Sequence, residues 1–100
     1  MIIVTATARL TEEGWTIAEP AMKDMIKATL EEDGCIDYVY ARDLNDPAIL
    51  RVTEKFADME ALEKHFAAPH MAVFRSALAK AGPQGMVIDI HEAEKVDFAF

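Results

Sequence analysis

The strongest constraint in this chain is the order in which two hydrophobic periods follow one another. IIVTATAR at residues 2–9 sets Ile2, Val4, Ala6 and Ala8 against Ile3, Thr5, Thr7 and Arg9, a β-branched alternation of period two that marks a strand. WTIAEPAMKDMIKATLEEDG at 15–34 changes period: Met22, Met25, Ile26, Thr29 and Leu30 share one helical face, Lys23, Asp24, Lys27 and Glu31 the other. Thr16 with Glu19 reads as a capping box, Trp15 as a staple at the entry and Gly34 as the C-terminal stop. CIDYVYARD at 35–43 returns to period two with Ile36, Tyr38 and Tyr40 on one face, and ILRVTEKFA at 49–57 does the same with Leu50, Val52, Glu54 and Phe56. LNDP is the turn between them. Asp58 is placed to cap a short helix carrying Met59, Leu62 and Phe66, and Pro69 opens a second helical segment that stops at Gly82-Pro83. MVIDIHEAEKV at 86–96 closes the series as a strand.

Strand, helix, strand, strand, helix pair, strand is the βαββαβ order of a ferredoxin-like α+β fold, with an antiparallel sheet and its helices on one face. Val4, Tyr38, Tyr40, Val52, Phe56, Ile88 and Ile90 are expected beneath those helices. The opposite face still carries Ile3, Val39, Ile49 and Val87, more apolar area than usually stays wet, so a second copy of the sheet is expected to cover it as a homodimer. The alternating tail Val96, Phe98, Phe100 is expected to dock across that copy.

The chain is long enough for one core and no more. At this mass a folded surface of roughly 5,700 Å² replaces about 16,000 Å² of extended chain, which fits one domain over residues 1–100. With 52% hydrophobic and 28% charged residues the composition is globular, so disorder is not expected. Eighteen acids against ten bases give a net charge of −8 with no basic run, which repels phosphate backbones and anionic lipid, so neither nucleic acid nor membrane is expected as a partner. No basic segment precedes the apolar start, and a cytoplasmic protein is expected. The single cysteine, Cys35, has no disulfide partner and reads as a small hydrophobe at a strand start.

Chemistry concentrates around Glu54. It stands on the apolar face of its strand between Val52 and Phe56, where an unpaired carboxylate is costly, and the phenols of Tyr38 and Tyr40 share that face. His65 borders the Leu62/Phe66 stripe above it; His70 is in register with Phe74, Ala77, Leu78 and Ala81. A Glu-His or Glu-Tyr hydrogen bond there is expected either to satisfy the core or to serve a site. His65 and His70 are five apart with Pro69 between them, whereas a helical metal pair is spaced by three or four, and His91 lies on a third segment. No metal site is expected, and His70 alone fits a capping or packing role.

The segment LRVTEKFADMEALEKHFAAPHMAVF, an apolar strand with a central Glu, an acidic turn, a short helix and PH before the next helix, resembles the antibiotic biosynthesis monooxygenase family of dimeric α+β barrels, which includes quinol monooxygenases. Strand one and its helix are also similar to that pattern. The resemblance implies that Glu54, Phe56, His65, His70 and Phe74 line a pocket between sheet and helices, and that a phenol or quinol is deprotonated there so that its anion reduces O2 without metal, flavin or other cofactor. Haem-degrading relatives use an Asn, a Trp and a His where this chain has Ala8, His65 and Phe74, and the usual strand-three Trp is Phe56 here. The implied function is a cofactor-independent monooxygenase of a small phenolic, quinol or polyketide-like aromatic. In it His65, oriented by Glu54, takes the proton, and Tyr38, Tyr40, Phe56, His70 and Phe74 contact substrate. An isomerase that shuttles protons with the same His/Glu pair, or a dimeric stress or binding protein without turnover, remain open beside it.

Overall fold

Each period in the chain becomes an element of the computed structural model, which describes residues 1–100: β1 (Ile2–Arg9), α1 (Glu12–Leu30), β2 (Cys35–Arg42), β3 (Ile49–Phe56), α2 (Met59–Ala67), α3 (Pro69–Ala81) and β4 (Gln84–Glu92). The strands form one antiparallel sheet in the order β2-β3-β1-β4, and the fold is the expected ferredoxin-like α+β arrangement. Directly paired residues share a face, so two rows run across the sheet toward the helices: Tyr38, Glu54, Val4, Ile90, and beside it Tyr40, Val52, Ala6, Ile88. Val4, Tyr38, Val52 and Phe56 are buried in one apolar cluster with Trp15, Met22 and Met25 of α1, Leu62 of α2 and Phe74 of α3. No helix is long and apolar enough to cross a membrane.

Several boundaries and faces differ from the sequence reading, each for a local reason. The capping box is not used: Thr11 is the N-cap, extended at φ −70° and ψ 166°, and its hydroxyl accepts the Gly14 N–H at 3.0 Å. Glu12 and Glu13 in the first turn suit the helix dipole there. Thr16 is already inside α1 and donates to the Glu12 carbonyl at 3.1 Å. A bulge between Cys35 and Asp37 turns Ile36 out of the Tyr38/Tyr40 row and leaves it exposed. On α2 the inward stripe is Ala61, Leu62 and His65, while Met59 and Phe66 stay at the surface. Strand β4 begins earlier, at Gln84, and ends at Glu92, short of Val96. It is exposed along its whole length, Ile88 and Ile90 included, because the buried helix-facing residues belong to β1, β2 and β3.

The turn from α1 into β2 is held by a glycine. Gly34 has φ +83°, its carbonyl accepts the Ala57 N–H at 2.8 Å, and a Cβ on it would stand 2.6 Å from the Ala61 Cβ at the start of α2. Gly82, the C-cap of α3, has φ +67° with open space around it. Gly82→Ala should therefore cost only the left-handed strain, about 1–2 kcal/mol, whereas Gly34→Ala adds a steric clash and should lower the urea midpoint further. Equal shifts for the two variants would contradict this account of the turn.

Candidate functional site

Glu54 lies at the centre of the inward face of β3 and is 7% exposed. From α2, His65 descends over it fully buried, its ring tilted 5.0 Å from Phe56 and edge-on to Tyr38 at 5.3 Å between centroids. Its Nε2 stands 3.7 Å from Glu54 Oε1, too far for a hydrogen bond, and both atoms are buried without a hydrogen-bond partner. Burial, reinforced by the nearby Glu32 carboxylate, pushes the Glu54 pKa up from 4.5 to about 7.

The hydrogen bond expected between Glu54 and His65 is made instead by Glu32, which occupies the turn after α1. His65 Nδ1 lies 2.9 and 3.1 Å from its two carboxylate oxygens, and His70 Nε2 contacts the same carboxylate. His65 and His70 meet there despite their five-residue spacing because Ala68, extended at φ −66° and ψ 145°, breaks the chain between α2 and α3. The ring centroids are 6.3 Å apart. The helical spacing rule that disfavoured a shared ligand site does not apply across such a break, and Glu32, His65 and His70 bring donor atoms within 4.8 Å of one another. Glu32 was not foreseen: it stands in the run Glu31-Glu32-Asp33, where no local pattern singles it out.

A cavity of about 170 Å³ opens between the sheet and α3. Tyr38, Tyr40, Val52 and Glu54 form its floor, Met71, Phe74 and Leu78 its roof, and Met86 and Ile88 of β4 one side. Glu54 is its single carboxylate and Arg75 its single cation. The Tyr38 and Tyr40 hydroxyls are 2.9 Å apart, and burial pushes both phenol pKa values above their ordinary range. Phe74 stands edge-on to Tyr40 at 5.9 Å. Of the residues singled out from sequence, Tyr38, Tyr40, Glu54 and Phe74 thus reach the cavity. Phe56 lies in the core and His65 behind Glu54, neither of them on the cavity wall, and His70 is half-buried beside Glu32.

The family model for antibiotic biosynthesis monooxygenases matches residues 1–77. No curated protein matches the chain in sequence. Among solved structures, a candidate antibiotic biosynthesis monooxygenase from Deinococcus radiodurans is similar at 25% identity and a TM-score of 0.91, covering 100% of this chain and 99% of that one. A conserved protein from Methanosarcina mazei Go1 is similar at 28% identity and a TM-score of 0.87, covering 93% and 92%.

The raised Glu54 pKa has a definite sign in stability. Between its ordinary 4.5 and its folded value of about 7, the native state binds more protons than the unfolded chain, so this group makes stability fall as pH rises through that window. Glu54→Gln should unfold at higher urea than the parent above pH 7 in metal-free buffer, by on the order of 1–3 kcal/mol, with the gain fading toward pH 4.5. A difference independent of pH would show that the carboxyl is not held up by burial.

Proposed function

The chain belongs to the antibiotic biosynthesis monooxygenase family, and from that membership we propose that it oxidises a small phenolic, quinol or polyketide-like aromatic with O2, without a bound organic cofactor. The observation that carries the reading is Glu54: one buried carboxylate, with a proton affinity near neutrality, on the floor of an otherwise apolar and aromatic cavity. A base poised near the working pH is suited to taking a proton from a phenol or from a methylene made acidic by an adjacent aryl ketone. Tyr40 and Phe74 offer ring faces and edges to a flat substrate, and Arg75 places the one positive charge of the wall where a phenolate oxygen can meet it. His65 is a positioning residue here, backing Glu54 while Glu32 holds its far nitrogen.

The electron balance closes on the substrate alone. For an anthrone-type methylene, Glu54 takes one proton and the resulting anion is oxidised by O2. One oxygen atom becomes the new carbonyl, the other leaves as water with the two methylene hydrogens, and all four electrons come from the substrate.

Oxygen uptake with a panel of anthrones and hydroquinones tests this. Turnover should fall about 10²- to 10⁴-fold in Glu54→Gln, and kcat/KM of the parent should rise with pH through a midpoint near 7. Burial and the Glu32 carboxylate set this midpoint, and Tyr38 and Tyr40 from β2 and His65 from α2 are the other titratable groups that face Glu54. His65→Gln should displace the midpoint rather than abolish turnover. Full activity in Glu54→Gln would remove the proposed base, and substrate rearrangement without oxygen uptake would point to an isomerase.

Pairing of two copies belongs to the same proposal. The chain exposes 6725 Å², against roughly 5,700 Å² typical of its mass. The excess includes Val39, Val87, Ile88 and Ile90 of the sheet and Val96, Phe98 and Phe100 of the tail, all exposed. Sedimentation equilibrium at micromolar concentration should give a dimer, and removing residues 96–100 should weaken it. A stable monomer would refute this part.

A further inference from the structure

We propose that Glu32, His65 and His70 form a binding site for a divalent first-row transition ion of the zinc type, held by two imidazole nitrogens and one carboxylate on the side of His65 away from the cavity. The reading goes beyond the oxygenase proposal and does not depend on it.

The donor set is of the right kind. Two imidazoles with one carboxylate suit zinc and its neighbours, whereas calcium and magnesium call for six or more oxygens. The spacing is close to what such an ion needs. Ligand atoms about 2.0–2.1 Å from a tetrahedral ion lie roughly 3.3–3.4 Å from one another, and His65 Nδ1 now stands 2.9 and 3.1 Å from the Glu32 oxygens, with all three donors within 4.8 Å. The His65–Glu32 pair needs to open by only a few tenths of an ångström, and the closer His70–Glu32 contact must widen further, to admit the ion. Glu32 sits in a turn and its side chain is 15% exposed, while the His70 side chain is 28% exposed, so that movement and entry from solvent are both available. The fourth position is left to water.

Charge points the same way. Glu32 and Glu54 flank His65 on opposite sides, and the ion-pair partners of both are imidazoles; no lysine or arginine is within 4.0 Å of either. The cluster therefore draws a positive charge to itself, which a divalent ion supplies.

The two orphaned atoms are a second, independent observation. His65 Nε2 and Glu54 Oε1 are buried, 3.7 Å apart and without partners. When Nδ1–H donates its hydrogen bond to the Glu32 carboxylate, the neutral ring turns the bare Nε2 lone pair toward the Glu54 carboxyl. When Nδ1 coordinates an ion, the ring proton must sit on Nε2 and points at Glu54 Oε1, so that a small shift of the ring from its present 3.7 Å gives both atoms a partner. Because none of the three ligands lines the cavity, the ion touches no substrate there and acts by fixing His65.

The test is titration of chelator-treated full-length protein with Zn2+ by calorimetry and with Co2+ by visible absorption. One ion per chain should bind with micromolar affinity or tighter, and Co2+ should develop the intense visible bands of a tetrahedral site. His70→Ala, at a half-buried position that leaves the core intact, and Glu32→Gln should each weaken binding by more than the roughly 10- to 100-fold that loss of an outer-shell partner costs. His91→Ala, on exposed β4, should bind like the parent. Absence of stoichiometric binding in the parent, or binding that survives His70→Ala, would overturn the site.

Discussion

A carboxylate on the apolar face of a central strand is the constraint around which this fold is arranged. Strand alternation commits Glu54 to the same side as Val52 and Phe56, so the side chain is buried against the core and reaches only the cavity. An unsatisfied buried polar group costs about 1–3 kcal/mol and an isolated charge far more. The pressure is relieved by protonation, Glu54 keeping its proton up to near neutrality, while the imidazole from α2 lies over it at 3.7 Å without a hydrogen bond. That imidazole is itself fully buried and needs a partner, which is why the turn at Glu32, closed by Gly34 against Ala61, belongs to the same construction.

The parts legible in the sequence are those governed by period. Strands β1 to β3, helices α2 and α3 and the inward row Tyr38, Tyr40, Val52, Glu54 follow from alternation and caps, because each strand or helix must turn one face to a core. The start of α1 did not, since Thr11 and Thr16 are both good caps and only the acids at 12 and 13 and the packing of Trp15 decide between them. Alternation also says nothing about a bulge, which is how Ile36 escaped its row, nor about whether a helix lies above a given strand, which is why Ile88 and Ile90 are exposed. In the site, Glu54, Tyr38, Tyr40 and Phe74 were found by face. The contacts of Glu32 with His65 and His70 span 33 and 38 residues between a turn and a helix junction, where no periodicity operates.

His65 divides two environments that have little else in common. On its Nε2 side lie Glu54 and an aromatic cavity; on its Nδ1 side lies a polar cluster open to solvent through Glu32 and His70. One imidazole cannot donate from both nitrogens without carrying a charge, so what happens at one nitrogen decides what the other offers. A change at the surface cluster that decides which nitrogen of His65 carries the proton would thereby reach Glu54 through a single buried ring.

Strand β4 links the cavity to the outside of the molecule. Met86 and Ile88 form one side of the cavity, yet they belong to a strand exposed along its entire length. An anion that is to react with O2 rather than be reprotonated needs water kept out, and a wall made of an uncovered edge strand does that poorly. A second copy of the chain, if it covered β4 as proposed, would bury the exposed Ile88 and Ile90 and seal that side of the cavity in the same step. Assembly and catalysis would then rest on the same strand, so that a change in β4 which touches no substrate would still alter the reaction by letting water into the site.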